Sequence, residues 1–520
     1  MPQIDTKNIH AYWLGFVTYW GIVLFGYDTG IGGGIIAQDL FMQKYGLKNP
    51  DGTTNKSRRD HISAVVVSVL QAGAFFGALA SAPVSARLGR KRTLLAFCTV
   101  FSVGAALQTA LGGNRGLAYM YSGRAIAGFG IGGISAVAPT FVSECAPKEV
   151  RGRITGLFQI MVATGVMLSY WINLGASLYL SHSENVWRVP LGFQFVPAGF
   201  MLLGLLTVKE SPRWLVSVGR NEEAIRNLAF IRRESVDSPA VRAEMAEIEA
   251  ASQEELVARK GLGVKEAFFG KGNFIRFFFA FFIFFLQQFC GQNSVNYYAP
   301  IIFQSIGYTG TSVSLLASGI YGVMKVIATT FFIFVAVESL GRKLSLFISA
   351  IGMGILFFIV GALLKSFPPD PKASEPSPAS QAMAAMLYIY VCFYSLGWGP
   401  LPWVYSSDIF PTRTRHYGLA VASASQWLWN FVVSYNTPMW VTNFGWKIFV
   451  MYATINVGAM GTFALIIPET KGRSLEEMDI IFDAVSAETR RQGIERRKVA
   501  LGGTGDEGLF STSSDSKVRV

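Results

Sequence analysis

Twelve predominantly apolar stretches follow one another along the chain, near 13–36, 62–83, 93–112, 117–140, 155–178, 190–208, 274–303, 313–337, 344–365, 383–406, 417–440 and 445–467, separated by polar segments. Each is about 20 residues long, the length of helix that crosses the hydrocarbon core of a bilayer. The pattern predicts an all-α membrane protein with twelve transmembrane helices. Met1 to Tyr12 holds no compact apolar run ending in small residues, so no cleavable signal peptide is expected.

The charged segments between the stretches repeat. Gly89-Arg90-Lys91 and Gly341-Arg342-Lys343 are each wedged between two apolar runs. Glu144, Pro147 and Arg151 have the same spacing as Asp408, Pro411 and Arg415, and Glu210-Ser211-Pro212-Arg213 has its counterpart at Glu469-Thr470-Lys471-Gly472-Arg473. The chain therefore reads as two six-helix halves, at 1–208 and 271–480. A charged cytoplasmic bridge at 209–270 has the periodicity of short amphipathic helices, and the polar tail at 481–520 is expected to be largely disordered. The excess of positive charge expected on cytoplasmic loops accounts for the arginines at these ends but not for acids at matched positions. A partly exposed ion pair is worth about 1 kcal/mol, enough in small numbers to bias a gate without locking it. Arg90, Glu144, Arg151, Glu210, Arg213, Glu338, Arg342, Asp408, Arg415 and Glu469 are the candidates for such a cytoplasmic gate.

Composition agrees with the pattern: 51% of residues are hydrophobic, 15% are charged, and the mean hydropathy is +0.38. A soluble enzyme of this length carries more charge. The net charge of +12 gathers at Arg87–Arg92, Lys148–Arg153, 209–270, Arg342-Lys343, Arg413–Arg415 and after Thr470, all on one side if both termini are cytosolic. It is thus a matter of topology, and no nucleic-acid partner is expected. Segment 38–61, assigned outside, is the exception, with Lys44, Lys48, Lys56, Arg58 and Arg59. Cys98, Cys145, Cys290 and Cys392 show no ligand spacing and read as packing residues, with no metal. Asn55-Lys56-Ser57 is a glycosylation sequon on the outer loop. No nucleophile, base and orienter set and no phosphate loop is present, so an enzyme is not expected.

Several motifs then fall in a telling order: Gly123-Arg124 with glycines after it, Glu144 to Gly152, Ser211-Pro212-Arg213-Trp214-Leu215, Gln287-Gln288 to Tyr297-Tyr298, Gly399-Pro400-Leu401-Pro402-Trp403, and Pro468 to Arg473. In that order they resemble the sugar porter family of the major facilitator superfamily, in its fungal type, over Gly26 to Asp479. The resemblance implies a monomeric plasma-membrane transporter working by alternating access, with no cofactor other than a proton as coupling ion. Ala86 stands where the family usually has Asp and Lys209 where it usually has Pro, departures that weaken the gate of that half.

Polar residues inside apolar spans are costly and usually functional. Gln287, Gln288 and Asn293 lie in the seventh span, on a helix loosened by Gly291, where amides can both donate to and accept from sugar hydroxyls. The resemblance adds Gln159, Gln426 and Asn430 to this substrate site, with Trp403 and Trp427 walling in the ring. Asp28 is at mid-span and should be paired, protonated, or able to switch between the two. The resemblance supplies Arg124 as its partner and implies proton coupling, since symporters keep Asp where facilitative relatives have Asn.

Lys325 lies too deep in the eighth span to reach the interface easily. Counting back from Glu338, the family's sugar-binding Asn would fall at Val326, so an amide is missing and a cation stands beside the gap. A similar lysine in fungal relatives of the quinate permease type suggests an acidic substrate such as a uronate or quinate. A neutral hexose or pentose symporter with a structural Lys325 is the alternative, and a non-transporting sugar sensor is a third reading that the short tail disfavours.

Overall fold

The computed structural model describes residues 8–49, 51, 53–112, 116–259, 264–270, 272–336, 341–370, 375–411, 414–471, 478, 481 and 482. Glu338, Arg413 and the tail beyond residue 482 lie outside the described residues, as do the side chains of Lys148, Arg151 and Arg415.

Twelve long helices carry the twelve apolar stretches: α1 (Ile9–Ile36), α2 (Lys56–Leu88), α3 (Arg90–Thr109), α4 (Ala118–Cys145), α5 (Lys148–Tyr179), α6 (Asn185–Thr207), α7 (Asn273–Ser305), α8 (Thr311–Phe331), α9 (Arg342–Ser366), α10 (Pro378–Asp408), α11 (Arg415–Phe444) and α12 (Lys447–Ile466). Eleven are apolar enough by composition alone to cross a membrane; α11, dotted with Gln426, Asn430, Asn436 and Thr437, is the twelfth. Helix α2 begins ahead of its apolar stretch. At the start of α2, the Asn55 side chain accepts from the Arg58 N–H at 3.1 Å and adds a polar turn.

Each half has its own core. Apolar faces of α1, α3, α4 and α6 meet around Leu94, Phe101, Ile131 and Phe141, and those of α7, α9, α10 and α12 around Phe284, Met353, Phe357 and Tyr390. The halves meet where α2 packs on α11, α5 on α8, and α1 on α7. Because α2 and α8 are repeats of one another, as are α5 and α11, the first two seams are one contact made twice.

Five spans are irregular, α6 among them, where the helices Asn185–Phe193 and Phe195–Thr207 meet at Gln194. Helix α7 stops at Gln288 and restarts at Gln292 through Gly291, whose φ of 96° favours glycine. Helix α10 breaks between Leu396 and Leu401, α8 runs on past Phe331 into a π-helical turn at Phe332–Ala336, and α12 contains one at Ile455–Met460.

The bridge holds helices at Pro212–Ser217, Asn221–Arg232, Pro239–Arg259 and Val264–Phe269. The third, with 21 residues, is longer than the short helices its periodicity suggests, because its Ala- and Glu-rich run has high helix propensity throughout. Arg232 holds this layer together, pairing with Glu244 at 2.6 Å and donating to the Cys145 carbonyl at 2.9 Å. The basic segment 38–61 contains a short helix, Asp39–Lys44, and much of its charge is locally paired: Lys44 with Glu184, Lys48 with Asp39, and Arg59 with Asp60. Local pairing explains how an excess of lysine and arginine sits there against the trend of the other loops.

Candidate functional site

Asp28 and Arg124 are both fully buried, on α1 and α4. Arg124 Nη1 donates to Asp28 Oδ1 at 2.5 Å, and its Nε donates to the Val66 carbonyl of α2 at 3.0 Å. Gly32, one turn along α1, leaves room for the guanidinium: a Cβ there would lie 3.2 Å from Arg124 Nη2. Removing one partner from such a buried pair costs about 3–5 kcal/mol, so the two residues depend on each other.

The amides of the seventh span form a connected set. Gln287 donates to the carbonyls of Trp398 and Gly399 at 2.6 and 3.2 Å, which uses the break in α10 as an acceptor. Gln288 donates to Gln287 at 3.3 Å, and Asn293 donates to Gln288 and, at 3.1 Å, to Asn430 on α11. Gln159, from the other half, donates to the same Gly399 carbonyl at 3.3 Å. Gln426 is half-buried and its Oε1 has no hydrogen-bond partner among the described residues. Trp403 meets Phe284 edge-on with centroids 4.7 Å apart. Trp427 is 2% exposed and packs against Phe25 of the other half, so it joins the halves.

Lys325 is buried and donates to Asn296 Oδ1 at 3.2 Å. That oxygen also accepts from Gln292 at 2.9 Å, and Gln292 donates in addition to Tyr321 Oη at 2.8 Å. The Asn296 carbonyl accepts from Tyr170 of the first half. Lys325 therefore faces the restarted part of α7, and no carboxylate forms an ion pair with it among the described residues. Sequence reasoning passed over Gln292, Asn296 and Tyr321. The signal was present: two amides four residues apart on an apolar helix share one face.

The matched charged positions form the same cluster twice. In the first half, Arg90 pairs with Glu144 at 2.9 Å, Ser211 Oγ donates to Glu144 at 2.5 Å, and Glu210 accepts the backbone N–H groups of Arg90 and Lys91 at 3.0 and 3.1 Å. In the second half, Arg342 lies 3.7 Å from Asp408, Thr470 Oγ1 donates to Asp408 at 3.1 Å, and Glu469 accepts the N–H groups of Arg342 and Lys343 at 3.0 and 2.9 Å. The ion pair is looser in the second half because aspartate is one methylene shorter than glutamate. Gly89 and Gly341 start α3 and α9 with φ of 91° and 81°, and a Cβ on either would meet its glutamate at 2.5 and 3.0 Å. Both clusters brace elements within one half. Arg213 stands apart, exposed and in no ion pair among the described residues.

The two equivalent glutamates differ in acidity. Burial pushes the Glu210 carboxyl above its ordinary value of 4.5, only partly offset by the N–H groups of Ser211, Lys91 and Arg90. Burial also opposes ionisation of Glu469, but more weakly, and four backbone N–H groups outweigh it and hold that carboxyl below 4.5.

The ends of the spans away from the termini are closed between the halves. Tyr298 Oη donates toward the carbonyls of Ser434 and Ser63 at 2.7 and 3.3 Å, on α11 and α2. Thr311 donates to the Ala37 carbonyl at 3.2 Å, and Arg59 reaches Thr442 at 3.5 Å. Tyr297, beside this seam, receives Asn430 at 2.9 Å.

Two repeated six-helix halves, broken helices at the midpoint and a polar site between the halves define a secondary transporter of the major facilitator fold. Residues 14–482 match the profile described as "Sugar (and other) transporter", and the chain belongs to that family. It is 36% identical to a probable quinate permease of Neosartorya fischeri, over 92% of this chain and 89% of that one. It is 34% identical to a quinate permease of Emericella nidulans, over 92% and 90%. Among solved structures it resembles the proton:xylose symporter XylE bound to 6-bromo-6-deoxy-D-glucose, with TM-score 0.74 and 27% identity over 92% of this chain and all of that one. A partially occluded inward-open form of XylE from E. coli gives TM-score 0.73 at 26% identity over 90% of this chain.

Proposed function

We propose that the protein is a proton-coupled symporter of a polyhydroxylated acid, quinate or a sugar-derived acid such as a uronate, held between the halves and released by alternating access. The observation that carries this reading is Lys325: a buried ammonium whose partner is an amide oxygen, on the α7 segment that also bears Asn293. A buried cation without an acid is expensive, and a substrate carboxylate supplies the missing charge. Gln287, Gln288, Asn293, Asn430, Gln159 and Gln426 serve the hydroxyl groups, and Trp403 and Trp427 the apolar edge. The names of the quinate permease relatives support the acid. Proton coupling falls to Asp28, which alternates between pairing with Arg124 and carrying a proton. The charged clusters act as gate supports, in a plasma-membrane monomer with cytosolic termini.

A second reading is favoured by Asn296, whose side-chain oxygen already accepts from Lys325: the lysine is then structural and the substrate is a neutral hexose or pentose. Competition of labelled sugars and sugar acids for uptake, in cells lacking their own carriers, in acidic and neutral medium, separates the two. Quinate or uronate uptake that Lys325→Ala abolishes supports the acid; glucose or xylose uptake indifferent to the variant overturns it.

A further inference from the structure

The start of α1, the end of α6 and the bridge helix Asn221–Arg232 enclose a groove of about 180 Å³, lined by His10, Trp13, Thr207, Lys209, Phe230 and Ile231. Its floor is Phe230, which is 42% exposed. The His10 ring stacks on it with centroids 4.5 Å apart, and because the Phe230 carbonyl can only accept, His10 Nδ1 carries the hydrogen of their 2.7 Å bond. Lys209 Nζ stands 5.4 Å from the Phe230 ring centre. Trp13 Nε1 donates to Thr207 Oγ1 at 2.8 Å across the mouth.

Cations crowd this spot. Lys91 Nζ donates to the Val208 carbonyl at 2.9 Å, next to Lys209, and Lys209 and Arg92 both stand close enough to Lys91 for their charges to act on its ammonium. Lys209 and Arg92 are exposed, and neither forms an ion pair among the described residues. Glu210 offsets part of the charge at Lys91 but forms no ion pair with Lys209 or Arg92 among the described residues, and its oxygens are taken by the backbone N–H groups of Arg90, Lys91 and Ser211. Clustered like charges at a surface call for a counter-anion.

The groove also opens onto an apolar lane. Trp13 stacks on Phe16 at 5.8 Å and Trp20 on Phe200 at 4.9 Å, and Trp13, Phe16, Phe200 and Leu203 are 43–70% exposed along the outsides of α1 and α6. Both spans end at the groove, so it lies at the level where headgroups meet acyl chains. We propose that the groove binds an anionic phospholipid, its phosphate on Lys209 and Arg92 and one acyl chain along the aromatic lane. Such a lipid ties the bridge helix to α1 and α6. A phosphatidylcholine headgroup has no net charge and leaves the cluster uncompensated.

The test is the thermal midpoint of the full-length protein in maltoside micelles. Added phosphatidylserine should raise it by about 4 °C, whereas phosphatidylcholine or soluble glycerophosphoserine should leave it within about 1 °C. Lys209→Gln with Arg92→Gln should abolish the rise, and Lys209→Arg should keep it. If the double variant does not fold, Lys209→Gln alone serves, with at least half of the rise lost. An equal rise with phosphatidylcholine, an undiminished rise in the glutamine variants, or a rise with the soluble headgroup would each overturn the proposal.

Discussion

Arg124 binds Asp28 through one carboxylate oxygen only: Nη1 sits 2.5 Å from Oδ1, while Oδ2 is buried with no hydrogen-bond partner among the described residues. A proton can therefore be taken up at Oδ2 without first displacing the guanidinium from Oδ1. Protonation removes the charge that holds Arg124, and the pair can then part. This one-sided pairing suits the coupling role proposed for Asp28 and differs from a bidentate clamp.

Asp28→Asn keeps the shape and removes the titration. Accumulation against a gradient should be lost, while exchange of labelled for unlabelled substrate across proteoliposomes persists. The variant should also be less stable by about 3–5 kcal/mol, since Arg124 stays charged and buried. Full proton-driven accumulation by the Asn variant would sink the coupling role.

Glu210 and Glu469 occupy equivalent places, yet they should titrate in opposite senses. With its carboxyl raised in the folded state, Glu210 lets stability fall as pH rises from 4.5 through its folded value, and Glu210→Gln should flatten that decline. Glu469, depressed, contributes stability that is complete above 4.5 and lost as pH falls through its lower folded value, so Glu469→Gln should remove only the acid-side loss. Thermal midpoints across this range for the two variants check both signs; identical profiles would contradict the asymmetry.

Much of this architecture was legible in the chain because duplication leaves a trace in spacing. Gly89 and Gly341, Glu144 and Asp408, and Glu210 and Glu469 announced the two halves, and the structure makes the same cluster from each set. The buried partners of Lys325 were not legible. Its depth follows from counting residues, but whether it faces α7 or lipid depends on a rotation of about 100° per residue, which small errors in span boundaries obscure. The π-turns of α8 and α12 were invisible for a related reason, since a single inserted residue changes no composition. That Arg213 stays outside the cluster, although Ser211 two residues before it joins, reflects side-chain direction and not sequence order.

Tyr298 closes the seam between α2 and α11 with one hydroxyl. Tyr298→Phe preserves the ring and forfeits a buried hydrogen bond worth about 1 kcal/mol, which is roughly a fivefold shift toward states with this seam parted. Val441 packs against the cluster of Val67, Tyr297, Tyr298 and Ile301, so the labelling rate of a Val441→Cys probe should rise by about that factor in the Phe background. An unchanged rate would show that the hydroxyl does not hold the seam.

Gly291 separates Gln287 and Gln288 from Asn293, and its geometry sets how the amides converge. Gly291→Ala should be costly in two separable ways. The φ of 96° imposes backbone strain of about 1–2 kcal/mol on any other residue, and a Cβ would lie 2.7 Å from the Phe357 ring, itself stacked on Tyr390 at 4.2 Å. Phe357→Leu relieves the closer ring contact but leaves the Tyr452 ring, 3.0 Å from that Cβ, and the dihedral unchanged. In a double-mutant cycle read by thermal midpoint, the Leu background should therefore recover that closer contact and not the strain, giving a favourable coupling smaller than the cost of Gly291→Ala alone. Substrate affinity should follow the strain, because Asn293 can reach Gln288 and Asn430 together only when the break turns as it does here. Full recovery in the double variant would mean that crowding alone, and not the left-handed turn, makes glycine necessary at this position.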